Sequence, residues 1–148
     1  MKLDDKDRAI IRELLKNSKQ TTSQLGKKLN MPITTVHNRI KKLEKEQIIR
    51  HYTVNLDYKK LGQPILAFIG VTINYQADPK KLINQTEIAK EIKKISCVQE
   101  CTIMTGGTDL MVKVLASDIM ELNDIVTERL RNIVGVDKTQ TAIVLKEV

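Results

Sequence analysis

The stretch from Ile33 to Glu46 gathers side chains suited to reading a nucleic acid: Thr34, Thr35, His37, Asn38, Lys41, Lys42 and Lys45. An asparagine can bond adenine N6 and N7 together, and a threonine methyl can lie against the thymine methyl. Lysines neutralise phosphates and fix register without reading sequence. Lys27 and Lys28, just upstream, supply two more such cations. Lysines at this spacing also decorate ordinary solvated helices, so the pattern gains force only from its setting.

A second group is Thr105-Gly106-Gly107-Thr108-Asp109. Two glycines let backbone N–H groups approach an anion such as a carboxylate. Asp109 offers a carboxylate to an ammonium. The same Gly-Gly pair is equally the mark of a hairpin turn, and both readings stand at this point.

Other chemistries find little support. The two histidines, His37 and His51, lie far in sequence from Cys97 and Cys101, and a structural zinc site needs about four ligands. On one strand the two cysteines would sit about 13 Å apart, beyond the roughly 7 Å a disulfide spans. We therefore expect free thiols in a reducing compartment. Residues 63–148 contain no histidine and no nucleophile with an evident base. We expect no enzyme, no metal and no cofactor.

The setting comes from charge. The 148 residues carry 25 Lys+Arg and 18 Asp+Glu, net +7. Residues 1–62 hold 15 basic and 7 acidic side chains, net +8, and residues 63–148 hold 10 and 11, net −1. A field this one-sided favours a polyanionic partner. Apolar residues make up 41%, enough for a globular core. The longest apolar block, Pro64 to Ile73, is too short to cross a bilayer. The opening MKLDDKDRAII carries acids where a secretory signal needs bases. A cytoplasmic protein is expected.

The elements that must position these groups follow from periodicity. Asp4 or Asp5 caps a first helix whose buried face is Ile10, Ile11, Leu14 and Leu15. Thr22 or Ser23 caps a second, with Leu25 and Leu29 inward. After Asn30-Met31-Pro32 a third helix runs from about Ile33 to Glu46, its inner stripe Ile33, Val36, Ile40 and Leu43. The last two helices form a helix-turn-helix. On the third helix Thr34, Asn38, Lys41, Lys42 and Lys45 then face outward, with Thr35 and His37 on the flanks. Arg39 falls at the edge of the buried stripe, suited to an ion pair or a phosphate.

Tyr52, Val54 and Leu56 alternate with polar residues and predict a linking strand. Beyond it the order is strand (Ile65–Ile73), helix (Pro79–Lys94), strand (Val98–Met104), strand (Leu110–Leu115), helix (Asp118–Ile133, ended near Gly135), strand (Lys138–Leu145). This is the ferredoxin-like βαββαβ arrangement. The class is α+β: a helix-turn-helix domain at 1–47, a linking strand and hinge at 48–63, and the ferredoxin-like domain at 64–148. Two helices cover one sheet face, and so apolar a sheet leaves a second face that invites self-association.

The sequence resembles the Lrp/AsnC, or feast/famine, family of transcription regulators. The resemblance rests on LDDKDRAIIRELLKN, VHNRIKKLEKEQIIRHYTVNLDYKKLG, VQECTIMTGGTDLMVKV and IVGVDKTQTAIVLKE, and spans nearly the whole chain. It implies a regulator binding pseudo-palindromic double-stranded DNA. It implies homodimers joined through their sheets, with dimers assembling into tetramers or octamers. It implies a free amino acid effector sensed at contacts between dimers, with Thr105, Gly106, Gly107 and Asp109 in the effector loop. An architectural DNA-wrapping protein without an effector is the alternative. Two positions depart from the family: Gln47 replaces the usual glycine at the end of the third helix, and His51 a common glycine before Tyr52. A non-glycine stop predicts a cap of different geometry at Gln47.

Overall fold

The computed structural model describes residues 2–80 and 82–146. The chain divides into two compact units, Met1–Asn55 and Leu56–Val148.

The first unit is three helices. α1, Asp5–Lys16, is capped by Asp4, whose carboxylate accepts from Asp7 N while Asp7 accepts from Asp4 N. α2, Thr22–Leu29, is capped by Thr21, one residue ahead of the expected pair. The reason is Gln24, three residues after Thr21, which closes a reciprocal capping box. α3 spans Ile33–Lys45. Ile10, Leu14, Leu25, Val36 and Leu43 form the core, with Ile11, Leu29 and Ile40 packed against it.

Two side chains expected inside lie outside: Leu15 is 82% exposed and Ile33 53% exposed. Leu15 stands about 100° round the helix from Leu14, beyond the narrow contact stripe. Ile33 occupies the first turn of α3, beside Gly26, before the helix has crossed onto the core.

Both helix ends that bound the α3 region are left-handed stops. Asn30 has φ 51° and Gln47 has φ 56°. The expectation of a different cap at Gln47 is thus overturned. Gln47 N donates to Glu44 O at 3.0 Å, and Ile48 N to Leu43 O at 2.9 Å. Those paired backbone bonds close the helix, and they hold a residue without glycine's freedom in the left-handed region. His51 is not among the positive-φ residues.

The expected linking strand is not formed in the single chain. Residues 51–57 are exposed and lack strand pairing. Their alternation is real, but a strand needs a neighbour to take its N–H and C=O groups, and no described segment supplies one.

The second unit is a four-stranded antiparallel sheet with order β2-β3-β1-β4. Its strands are β1 Ile65–Ile73, β2 Val98–Ile103, β3 Leu110–Ala116 and β4 Val136–Ile143. α4, Gln85–Ile92, joins β1 to β2; α5, Ile119–Asp124, continues as a π-helical segment Ile125–Leu130 and joins β3 to β4. This is the ferredoxin-like topology. Ala67, Ile69, Val71 and Ile73 alternate inward on β1 and pack with Ile88, Ile92, Leu122, Ile125 and Leu130.

α4 is much shorter than Pro79–Lys94. Asp78 Oδ1 accepts from Lys80 N at 2.8 Å, forming a local turn, and Asn84 takes the cap by accepting from Thr86 N. Lys81 of the expected helix lies outside the described residues. The second expected helix is α5 with its π segment, which stops at Leu130 rather than Ile133. β4 begins and ends two residues earlier than expected, because its register follows β1, with Val136 opposite Ile73 and Ile143 opposite Ala67. At the turn from the π segment into β4, Gly135 has φ 99°, and a Cβ there would sit 2.7 Å from Ile88 Cδ1. The positive φ is what requires glycine here, while the Ile88 methyl is a side-chain end that can shift.

Both cysteines are free, as expected, Cys97 buried and Cys101 half-buried. Burial pushes both thiols up from their ordinary range. Among the described residues no helix is long and apolar enough to cross a membrane.

Candidate nucleic-acid interface and effector loop

The helix-turn-helix owes its tight corner to Gly26, which the sequence reading passed over. A Cβ on Gly26 would meet Met31 O at 2.8 Å. Met31 N in turn donates to Gly26 O at 2.9 Å. The chain leaving α2 thus folds back onto that helix's backbone and delivers Pro32 as the entry to α3. A glycine inside an otherwise good helix pattern was the available signal.

α3 presents an unobstructed polar face. Thr34, His37, Asn38, Lys41, Lys42 and Lys45 are exposed and Thr35 is half-buried. None of them makes a side-chain hydrogen bond or ion pair with another described residue. Pro32 gives α3 no side-chain cap, and the N–H groups of a helix's first turn have no partner within the helix. Donors and the positive end of the helix dipole therefore lie beside Thr34 and Thr35.

Arg39 points the other way. Its Nη1 donates to Asp4 Oδ1 and Oδ2 at 2.9 and 2.8 Å and to Asp7 Oδ1 at 2.7 Å. Of the two roles open to it, the ion pair is the one formed, between α3 and the first turn of α1. The Asp4 carboxyl is held below its usual range, first by the Asp7 backbone N–H and next by Arg39.

The α2 lysines divide. Lys27 is exposed and unpaired among the described residues. Lys28 Nζ donates to Gln20 Oε1 and lies 3.4 Å from Glu13 Oε2. It must leave both to meet a phosphate. Downstream, the Tyr52 hydroxyl donates to Glu44 Oε1 at 2.7 Å, tying the chain after α3 back to that helix. Burial of the hydroxyl, with the Glu44 carboxylate second, pushes Tyr52 up to about 12.

In the second unit the loop between β2 and β3 is closed by Met104 N donating to Asp109 O at 2.8 Å. Thr105, Gly106 and Gly107 are exposed, and Thr108 and Asp109 half-buried. Gly106 has φ 115° with open space where a Cβ would go, so backbone conformation alone selects glycine there. The N–H groups of Gly106 and Gly107 bond to no other described residue. Asp109 differs from the sequence expectation of a carboxylate free for an ammonium. Its Oδ2 accepts from Ile73 N at 2.8 Å, and its Oδ1 from the Tyr75 hydroxyl at 3.0 Å and Gln85 Nε2 at 3.2 Å.

A helix-turn-helix with a cationic outer face, in one chain with a βαββαβ sheet, defines a DNA-binding transcription regulator. Residues 3–50 match the winged helix-turn-helix DNA-binding family and residues 66–148 the Lrp/AsnC ligand binding domain. The chain belongs to the Lrp/AsnC family. It is 43% identical over 141 residues to an HTH-type transcriptional regulator of Pyrococcus furiosus, covering 95% of this chain and 91% of that one. It is 32% identical over 145 residues to the HTH-type transcriptional regulator LrpA of Pyrococcus horikoshii, covering 98% of each. Among solved structures it is similar to a Neisseria meningitidis transcriptional regulator in complex with L-Met. There the TM-score is 0.89 at 28% identity, covering 99% of this chain and 92% of that one. Bacillus subtilis LrpC gives a TM-score of 0.85 at 26% identity, covering 100% and 98%.

Proposed function

We propose that this regulator binds pseudo-palindromic promoter DNA as a dimer-based oligomer in the cytoplasm and answers to a free amino acid. The observation that carries the reading is the split on α3. Arg39 is neutralised inward by Asp4 and Asp7, while Thr34, Thr35, His37, Asn38, Lys41, Lys42 and Lys45 remain on the outer surface. Thr34, Thr35, His37 and Asn38 sit at the N-terminal end, where a recognition helix meets base edges. Lys41, Lys42, Lys45 and Lys27 take the flanking phosphates, joined by Lys28 once it leaves Gln20 and Glu13.

Dimerisation is supported by the sheet face turned away from the helices. Phe68 is 37% exposed there, and its register neighbours are Ala142 and Lys113. A C2 pair of such faces sets two recognition helices against a two-fold operator. We assign residues 48–63 as the hinge between the two functions. The effector reading is supported by the Gly106 and Gly107 N–H groups, which bond to no other described residue and are donors suited to an α-carboxylate. The bound L-Met of the Neisseria neighbour makes an amino acid the natural class to try.

The test is selection of bound DNA from a random pool at moderate salt, with and without a panel of amino acids. Enrichment of a two-fold sequence that one amino acid shifts supports the reading. Binding without enrichment indicates an architectural DNA-wrapping role instead.

A further inference from the structure

Three segments far apart in sequence meet at one carboxylate. Asp109 closes the β2–β3 loop, Ile73 and Tyr75 lie at and just past the end of β1, and Gln85 opens α4. Asp109 Oδ2 accepts from Ile73 N, which lies at the point where the β1–β4 register shifts. Asp109 Oδ1 accepts from both the Tyr75 hydroxyl and Gln85 Nε2. Gln85 Nε2 also contacts the Tyr75 hydroxyl oxygen, so the three side chains close a triangle. The backbone adds Asp109 N to Val71 O at 3.0 Å. Among the described residues nothing comparable ties down Thr105 to Gly107, which are exposed. The loop is thus fixed at its Asp109 end and free at its glycine end.

We propose that Tyr75 and Gln85 are positioning residues for the effector loop, holding Asp109 so that the loop, the end of β1 and the first turn of α4 move as one. The proposal rests on the reading of residues 105–109 as an effector loop. Its physical content is that a carboxylate with three donors in place is an expensive group to release, because each lost bond leaves a partner to be resolvated. A ligand seated on the Gly106 and Gly107 N–H groups therefore pulls on α4 through Asp109 instead of merely reordering a surface turn. A ligand shifts such a coupled element only by its differential affinity for the two arrangements.

Amide hydrogen exchange on the full-length protein tests this, with wild type, Tyr75→Phe and Gln85→Ala. Tyr75→Phe removes one donor and keeps the ring. It should speed exchange about fivefold at Ile73, at Asp109 and at Ile88 in the first turn of α4, the size expected for one hydrogen bond. Val112 in the middle of β3 should keep its wild-type rate and reports on global folding. Gln85→Ala should speed the Asp109 amide without touching Val112. Acceleration confined to Ile73 and Asp109, with Ile88 unchanged in both variants, overturns the coupling. The second arm uses L-methionine as the probe. Protection of both the loop and Ile88 in wild type, reduced to the loop alone in Tyr75→Phe, supports the proposal. Protection of the loop without Ile88 in wild type overturns it. If neither L-methionine nor any other amino acid protects the loop, the effector reading fails, and the ligand-free exchange decides the positioning role by itself.

Discussion

Arg39 Nη1 lies 2.7 Å from Asp7 Oδ1, and the Asp7 side chain is only 6% exposed. This contact ties α3, the helix that carries the outward polar residues, to the first turn of α1. Asp7 also takes part in the capping box of α1, so one buried carboxylate both starts one helix and anchors another. Replacing Arg39 by Met should leave that carboxylate without its cation and destabilise the first unit by about 1–3 kcal/mol. Urea unfolding followed by circular dichroism measures it; an unchanged midpoint would show the pair to be ornamental.

Acid should act through the same cluster. Asp4 has its folded pKa lowered by the Asp7 N–H and by Arg39. A lowered carboxyl contributes stability that is fully present above its unfolded pKa and lost as pH falls through the folded value. The first unit should therefore weaken below about pH 4, the unfolded aspartate range. Asp4→Asn should flatten that part of the stability profile while leaving the region above pH 5 level. Unfolding midpoints between pH 2 and 7 check the sign, and a variant as acid-sensitive as wild type refutes it.

On DNA the outer face of α3 should separate into two behaviours. Asn38→Ala should cost about 1–3 kcal/mol of discrimination between the selected site and a scrambled duplex. Lys42→Ala should weaken binding to both alike and reduce the salt slope by about one. Titrations at several salt concentrations distinguish them. Equal losses on both duplexes for Asn38→Ala remove its base-reading role.

Glycine substitutions should fail for opposite reasons. At Gly26 a methyl would lie 2.8 Å from Met31 O, so Gly26→Ala should force the corner open. We expect a cost of about 1–3 kcal/mol, as for other overpacked sites, together with loss of DNA binding. At Gly106 there is room but φ is 115°, so Gly106→Val should cost stability through backbone strain of about 1–2 kcal/mol. Ligand-free DNA affinity should stay intact in that variant, since Gly106 lies in the other unit. Thermal melts and duplex titrations of both variants decide the matter.

Cutting the chain after Gly62 should give fragments of unlike habit. Residues 63–148 carry the sheet with its uncovered face and should self-associate. Residues 1–62 are short for an independent core, since a chain of about 60 residues buries only about 60% of its unfolded surface. They should remain monomeric and bind DNA weakly. Light scattering at micromolar concentration checks both, and a monomeric larger fragment contradicts the expected dimerisation.

Periodicity was enough to place the nine principal helices and strands of the described residues, because Ile10, Leu14, Val36, Leu43, Ile69 and Val71 recur at the spacing their elements demand. What escaped was set by bonds that spacing does not encode. Asn84 outcompeted the earlier residues for the cap of α4, and Gln24 chose Thr21 over its neighbours. The alternation of Tyr52, Val54 and Leu56 reads as a strand, but no described segment pairs with it. At the candidate sites the outward residues of α3 were legible from the helical wheel. The commitments of Arg39, Lys28 and Asp109 were not, because their partners are eight or more positions away, beyond the reach of helical spacing.

Gln47 shows how much latitude a helix stop can have. Backbone bonds to Leu43 and Glu44 enforce the left-handed turn, so the identity of the residue tunes the stop without creating it. The penalty for carrying a Cβ there is about 1–2 kcal/mol, small beside the 5–15 kcal/mol margin of an ordinary domain. A lineage can therefore drift away from glycine at this position and back again without ever losing the geometry, and a survey that keyed on the glycine would miss descendants that fold the same way.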